Sequence, residues 1–507
     1  MTRKIISIEN LSSKVKTAKK QGKKIVHCHG VFDLLHIGHI KHFNEAKSHG
    51  DILVVTVTPD EYVNKGPNRP AFTTELRLEA LAALESIDFV AKNEWPTAVK
   101  TINKIKPDIY FKGPDYKDHK DDVTGMIKEE SRAIESVGGQ IMYSTDIVFS
   151  SSSILNRYSD LYTEEQKSFI STIRQEIGPE DVKTILEGFK DLKVLVIGET
   201  IIDQYIFCEA LGKSGKEPVL VLRDLNTEEY LGGAAAVTNH LADFCSSITL
   251  ISALGESGEY EDFIKANLAK NIRFEFINKS NSPTIIKKRF VDHITNSKTL
   301  GVYSINDDTL SGKDEKKLIS IISKEINKHD LVIVTDYGHG LISEKVAKKI
   351  VKKSPYTALN AQINAANSSY HTMDKYEKVE CVIINESELR HEFRNRDGDL
   401  DDLMKTLAQN LRAINVVVTR GNQGAKLYHR SKDEFMTCPA FAAKVVDKVG
   451  SGDAMLALLS ASLRSGCDEK ISLLIGSLAA AQSVETIGNS QSVSKNTVLK
   501  TLQHILK

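Results

Sequence analysis

VHCHGVFDLLHIGHIKHFNEAKSHGDILVVTVTPD, Val26 to Asp60, sets two apolar strand-like runs on either side of a helical pattern. The first run ends at the turn around Gly30, the helical pattern begins near His36, and DILVVTVTP follows Gly50. Apolar runs joined by helices are the units of a parallel sheet covered on both faces. His36 and His39 are three residues apart, so at the start of a helix they share a face and reach one ligand. Amides at a helix N-terminus and two imidazoles together can neutralise charge building on a phosphoryl group. Gly30 and Gly38 leave the backbone open to close approach. Two surface histidines would leave the same four letters, HIGH, so the surrounding sequence has to decide.

The pattern repeats outward. IDFVAKN, IYFKG and QIMYS read as further strands, with helices around 74–84 and 97–105, giving a first domain over 1–158. Residues 159–191 read as a helical linker, opening with a capping box of Thr163 and Gln166 and interrupted at Gly178-Pro179. KVLVIGE restarts the alternation, and SITLISALG, LVIVTDYG, VECVIINE and INVVVTRG continue it, so 192–507 reads as a second, larger parallel α/β domain. Short alternating runs between Tyr205 and Tyr230 predict strands outside the main sheet, as in a lid. The expected class is α/β throughout: a Rossmann-like unit followed by an α/β/α sandwich with a small β lid.

Composition narrows the function. Among 507 residues, Lys+Arg and Asp+Glu both number 67, so no global charge draws the chain to nucleic acid or an anionic membrane, and any phosphate affinity is local. Six cysteines lie far apart with no C-x-x-C pair, which predicts reduced, mostly buried thiols. The N-terminal stretch lacks an apolar h-region and no run approaches the ~20 apolar residues of a membrane span, so the expected location is cytoplasmic without membrane insertion.

The H-I-G-H letters are shared with class I aminoacyl-tRNA synthetases, but no K-M-S-K-S-like loop or anticodon-binding region accompanies them here. With VNKGPNRPAFTTELRLEALAAL, PDIYFKGPDY and FSSSSILNRY at matching distances, residues 20–158 resemble the cytidylyltransferase-like nucleotidyltransferases. The likeness is greatest to the adenylyltransferase half of bifunctional heptose kinase/adenylyltransferases. The resemblance implies that His36 and His39 stabilise the transition state, and that Lys65 and Lys112 face phosphate as compact cations. Gly30, Phe32, Arg77 and the serine run Ser151, Ser152 and Ser153 would line the nucleotide. The bland alternative for Arg77 is an ion pair with Glu75 or Glu79. Cys28 and His29 stand where the family usually has threonine and often has asparagine or tyrosine, which puts a phosphate contact from Cys28 in question.

VDKVGSGDAMLALLSASL, from Val446, reads as a strand end, a Gly-Ser-Gly turn and a helix. Such a turn presents successive amides to an anion, and Asp453 behind it can act as base for an attacking hydroxyl or simply cap the helix. With VIGETIIDQY, LGGAAAVTNHLA, NESE and TRGNQG in order, the segment resembles the ribokinase-like (phosphofructokinase-B) sugar kinases. By that likeness Asp453 is the base, and Gly450, Ser451 and Gly452 form the anion hole. Thr419, Gly421 and Gly424 lie on the nucleotide side, while Asp203, Gly232, Gly233, Lys287 and Arg289 bind acceptor. Asn385 and Glu388 attend Mg2+. Ala236 replaces the family asparagine, and ALNAQINAAN, 358–367, has neutral amides in place of a D-P-K, which suggests a changed acceptor.

Together the resemblances imply an ATP- and Mg2+-dependent sugar kinase joined to a nucleotidyltransferase using ATP or CTP, with the domain order reversed from the heptose enzymes. The small-molecule partners would be a sugar or polyol phosphate and a nucleoside triphosphate, the product a nucleotide sugar of ADP-heptose type. The alternatives are CTP activation of a smaller polyol or acid phosphate, or a kinase half that is a degenerate binding module. Lid-mediated homodimers are a family expectation.

Overall fold

A computed structural model describes residues 4–63, 70–113, 127–144, 162–363, 367 and 371–506. Lys65 and Ser151–Ser153 lie outside the described residues. The chain divides into two compact units, Met1–Leu161 with Lys507, and Tyr162–Leu506.

In the first unit, β1 (Ile25–Gly30), β2 (Ile52–Val57), β3 (Phe89–Lys92), β4 (Ile109–Lys112) and β5 (Gln140–Tyr143) form a sheet of order β3-β2-β1-β4-β5. All its pairings are parallel. Val26 and Cys28 point to the face that packs Phe43, Leu81 and Phe111, and Cys28 is fully buried there. Burial pushes its thiol far up, so it acts as a small apolar core side chain rather than a phosphate ligand. A helix at Ile8–Lys20, not anticipated above, is capped by Ser7 and buries Ile8, Leu11, Val15 and Ala18.

The second unit holds a main sheet and a lid. In chain order its strands are β6 (Lys193–Gly198), β7 (Thr200–Lys213), β8 (Leu220–Gly233), β9 (Ser247–Gly255), β10 (Ile272–Lys279), β11 (Ile286–Asp292) and β12 (Lys298–Ser304). They continue with β13 (Leu331–Asp336), β14 (Thr357–Ala361), β15 (Cys381–Asn385), β16 (Asn415–Thr419), β17 (Ala425–His429) and β18 (Glu434–Cys438). The main sheet runs β10-β9-β6-β13-β14-β15-β16-β17-β18, and the lid β12-β11-β7-β8. The β16-β17-β18 edge is antiparallel, which corrects the all-parallel expectation. Its short turns, at Gly421–Gly424 and around Asp433, leave no room for a crossover helix. The lid is built from the anticipated hairpin β7-β8, and from β11 and β12, which the sequence reading had not singled out as strands.

The expected linker is not a free tether. Its helices, Glu164–Glu176 and Asp181–Glu187, do form, and the Thr163–Gln166 capping box is present. They bury Phe169, Ile173, Val182 and Leu186 in the core of the second unit. The Arg174 guanidinium donates to the Ile505 carbonyl at 2.7 Å, so the apolar faces of these helices found a partner in the C-terminal helix Lys495–Leu506.

Candidate active sites

In the first sheet the strand order reverses between β1 and β4, and ligands of open α/β sheets bind outside the carboxyl ends of strands at such a point. β1 delivers Gly30 and the loop to His36; β4 delivers Lys112. His36 caps the helix Ile37–Ser48, its Nδ1 accepting the Gly38 amide at 3.1 Å. That bond leaves the ring proton on Nε2, a buried donor with no hydrogen-bond partner among the described residues. Burial lowers the His36 pKa, so the neutral ring offers this N–H at neutral pH. The His36 and His39 ring centroids are 4.0 Å apart.

Phe32 takes a left-handed φ of 48° and lays its ring against His39 at 5.7 Å and Phe43 at 5.0 Å. A Cβ on Gly30 would lie 2.9 Å from that ring, so the glycine admits Phe32, which in turn backs His39. Lys112 is 8% exposed and pairs with Glu130 at 2.9 Å.

Arg77 is placed differently from the expected nucleotide contact. Its guanidinium is buried and donates to Phe72 O at 2.9 Å, Val31 O at 2.6 Å and Asp60 at 2.5 Å, so neither Glu75 nor Glu79 is its partner. Asp33, which sequence reasoning passed over, accepts the amides of Ala71 at 2.8 Å and Phe72 at 3.0 Å. The two residues clamp Ala71 and Phe72 against the β1 loop. Arg77→Met should therefore lower the stability of this unit by about 2 kcal/mol, the scale for leaving buried hydrogen-bond acceptors unsatisfied. Calorimetry of the full chain checks it; an unchanged transition with weakened nucleotide binding would return Arg77 to the ligand.

In the second unit the sheet reverses between β6 and β13. Gly450 caps the helix Ser451–Arg464 with φ 89°, and a Cβ there would lie 2.1 Å from Asn489 Oδ1. Only glycine fits this turn, and Ser451 and Gly452 open the helix behind it. Asp453 is therefore in the first helical turn and is not the cap. Its Oδ1 accepts from the Tyr337 hydroxyl at 2.7 Å. Burial pushes its carboxyl up to about 7, with Asp203 adding to the rise and Tyr337 and Lys287 opposing it.

Asp203 comes from the lid strand β7, and a Cβ on Gly232 would lie 2.4 Å from its Oδ2; Gly233 follows at the end of β8. The Arg289 guanidinium bonds Asp203 Oδ1 at 2.5 Å. Lys287, on the same strand as Arg289, is 8% exposed. Its ammonium sits 5.7 Å from the Tyr303 ring and 5.9 Å from the Tyr337 ring. It has no ion pair or hydrogen bond among the described residues, and burial lowers its pKa. The structure thus brings Asp203, Lys287, Arg289, Tyr337 and Asp453 together, a cluster of cationic and acidic groups that can meet a hydroxylated, anionic acceptor.

Two further residues shape this site. Glu199, after β6, accepts the amides of Tyr337, His339 and Leu341 at 3.0 to 3.2 Å and so shapes the loop carrying Tyr337. Asp447 accepts Tyr205 Oη at 2.6 Å and the Val449 and Gly488 amides at 3.1 Å, and also binds Lys298 of the lid. Asp447 lies in the stretch from Val446 that carries the kinase resemblance, whereas nothing in the sequence marks Tyr337 or Glu199.

Asn385 and Glu388 form a capping box, with Glu388 accepting the Asn385 amide at 3.0 Å. Burial raises the Glu388 carboxyl to about 7, with Asp453 adding to the rise. No group of three or more metal-ligating side chains occurs among the described residues. Glu388 and Asp453, both half-buried and close enough for Asp453 to raise Glu388, are the carboxyls that would meet an Mg2+ ion held for the most part by ATP phosphates and water. Thr419 pairs with Asn385 across neighbouring strand ends, and Gly421 and Gly424 bound the following turn. Of the neutral amides in 358–367, Asn360 donates to Ile383 O at 2.8 Å and Asn367 to Tyr337 O at 3.0 Å. Ala236 is buried in the helix Ala234–Leu241.

The family model for pfkB family carbohydrate kinases matches residues 191–496, and that for cytidylyltransferase-like proteins matches 27–158. The chain belongs to the pfkB carbohydrate kinase family. This pfkB-family chain also carries an N-terminal cytidylyltransferase-like domain. It is similar to the Bifunctional protein HldE of Campylobacter jejuni subsp. doylei, 28% identical over 302 residues, 59% of this chain and 62% of that protein. It is also similar to the Bifunctional protein HldE of Trichlorobacter lovleyi, 26% identical over 312 residues, 61% and 62% of the two chains. The chain thus spans about 62% of the length of these curated relatives. In fold, its kinase half is similar to phosphofructokinase-2 from Escherichia coli in complex with potassium, with TM-score 0.52 and 15% identity over 62% of this chain and 100% of that one. No helix of the described residues is long and apolar enough to cross a membrane.

Proposed function

We propose that the chain is a bifunctional enzyme of nucleotide-sugar biosynthesis that phosphorylates a sugar phosphate with ATP and transfers a nucleotidyl group to a sugar 1-phosphate. The observation that carries it is the pair of separate polar clusters, His36 with His39 and Lys112, and Asp203 with Lys287, Arg289 and Asp453, in units whose sheets each have a switch point. In the kinase step, Asp453 takes the proton of the acceptor hydroxyl as its oxygen attacks the γ-phosphorus of ATP, and ADP leaves. The amides of the Gly450–Gly452 turn stabilise the transferred charge, and Mg2+, when bound, neutralises the phosphates. Asp203 and Arg289 orient the acceptor hydroxyls, and Lys287 meets an acceptor phosphate. In the transfer step a sugar 1-phosphate oxygen attacks the α-phosphorus of the triphosphate and pyrophosphate leaves, with His36 Nε2–H, His39 and Lys112 stabilising the charge.

We assign the heptose-phosphate class to the acceptor and ATP to the transfer step, CTP and a smaller polyol phosphate being the competing pair. Incubating the protein with Mg2+, ATP, CTP and a panel of heptose phosphates, sugars and polyols, with mass detection, decides between them. The product mass names sugar and base together, and the absence of any nucleotide sugar from supplied sugar 1-phosphates would sink the transferase half of the reading.

The lid exposes Leu220, Ile294, Leu300, Val302 and Tyr303, apolar surface that suits pairing of lids in a homodimer. Sedimentation at micromolar concentration should show a dimer; a monomer would remove this proposal.

A further inference from the structure

Each oxygen of the buried Asp447 carboxylate takes one bond from the body of the second unit and one from its lid. Oδ1 accepts the Val449 amide at 3.1 Å and the ammonium of Lys298, the first residue of β12. Oδ2 accepts the Gly488 amide at 3.1 Å and the hydroxyl of Tyr205, from β7, at 2.6 Å. Val449 directly precedes Gly450, so the amide that Asp447 holds is the entry to the Gly450–Gly452 turn. Gly488 is fitted to the lid, since a Cβ there would lie 3.0 Å from the Tyr205 ring. That ring lies 5.3 Å from the Lys298 ammonium and 5.5 Å from the guanidinium of Arg289, the partner of Asp203. A cavity of about 260 Å3 borders both lid bonds and is lined also by Phe207, Val291, Val446 and Ile487, so lid and body meet here through polar groups with open space beside them. Burial would raise the Asp447 carboxyl, but Lys298, Tyr205 and the Val449 amide outweigh it and hold it below its ordinary value; Asp447 is a charged anchor at neutral pH.

We propose that Lys298 and Tyr205 are positioning residues of the kinase step: from the lid they fix Asp447, and through it the amides of the Gly450–Gly452 turn that meet the transferred phosphoryl group. This rests on the reading of the second unit as a kinase. The lid carries Asp203, Lys287 and Arg289, the groups assigned to the acceptor, whereas the turn belongs to the body. One carboxylate shared between them makes the geometry of the turn depend on the seating of the lid. A merely structural pair would, when lost, weaken every ligand of the unit alike. Positioning residues that act through the turn weaken only a ligand that reaches it. ADP stops short of the transferred phosphoryl position, and aluminium fluoride bound beside ADP fills it.

The test is calorimetric titration of the full chain with ADP and Mg2+, with and without aluminium fluoride, for the wild type, Lys298→Met, Lys298→Arg and Tyr205→Phe. Aluminium fluoride should tighten ADP binding by the wild type. Lys298→Met should weaken the ADP and aluminium fluoride complex on the order of tenfold, the low end for a hydrogen bond to a charged group, and leave ADP alone unchanged. Tyr205→Phe keeps the ring against Gly488 and removes only the hydroxyl, so it should act in the same direction. Lys298→Arg keeps a cation for Asp447 and should restore most of the lost affinity. Equal weakening of both complexes, or none in either variant, overturns the positioning role while leaving the kinase reading in place. Wild-type ADP binding that aluminium fluoride fails to tighten overturns the turn as the anion hole, and the positioning role with it. No ADP binding by the wild type overturns the kinase reading beneath both.

Discussion

Asp453→Asn should reduce ATP-dependent phosphorylation by about a thousandfold, within the range for losing a positioned general base, and leave nucleotidyl transfer unchanged. It should also stabilise the second unit at pH 8. The Asp453 carboxyl lies at about 7 in the folded chain against an ordinary 3.8, with burial as the main cause. A carboxyl raised on folding binds its proton more tightly in the native state, so its stabilising contribution is complete at low pH and is lost as pH rises through about 7. At pH 8 the wild type carries a buried charge that asparagine does not. The variant should gain on the order of a few kcal/mol there, and the gain should vanish towards pH 4. The same carboxyl sets the acid limb of the kinase: kcat/KM should fall as pH drops below about 7, because the protonated acid accepts no proton. Thermal melts across pH with an ATP-consumption assay read both effects. Unchanged phosphorylation in Asp453→Asn would refute the base, whatever the melts show.

What the sequence disclosed follows from what kind of signal each feature leaves. The strands around Gly30, Lys112, Gly198 and Asn385 were legible because short apolar runs between helical patterns are the mark of strands covered on both faces. The Gly450 turn was legible because its backbone admits no side chain. Tyr337 was not: a tyrosine after an aspartate at a strand end carries no marker, and it reaches Asp453 only because the loop wraps Glu199. Arg77 matched a family pattern, yet its partner Asp60 is seventeen residues away, too far for helical spacing to suggest. The antiparallel edge β16-β17-β18 was hidden because β16 and β17 are buried runs that read alike whichever way a neighbour runs, and the edge strand β18 is mostly unburied. The helix Ile8–Lys20 was readable and missed: Ile8, Leu11, Val15 and Ala18 recur at helical spacing behind a serine cap.

His39→Ala should cut nucleotidyl transfer by about a hundredfold to a thousandfold, the cost of losing one donor to transition-state charge, while phosphorylation by the second unit continues. His36 needs a subtler substitution, because it does two jobs. Its Nδ1 caps the helix through the Gly38 amide, and its Nε2–H, buried without a hydrogen-bond partner among the described residues, is the donor proposed for a phosphate oxygen. Alanine would remove both and confuse a loss of helix stability, about 1 kcal/mol for a cap, with a loss of catalysis. Asparagine caps a helix well but carries no donor at the position of Nε2, so His36→Asn separates the two. The expected result is wild-type melting with transfer reduced as far as in His39→Ala. Full activity in His36→Asn would make His36 a cap and nothing more, and the charge on the leaving pyrophosphate would then fall to His39 and Lys112. With the rings 4.0 Å apart, the two donors face one group, so His36→Asn with His39→Ala should cost less than the product of the two single losses.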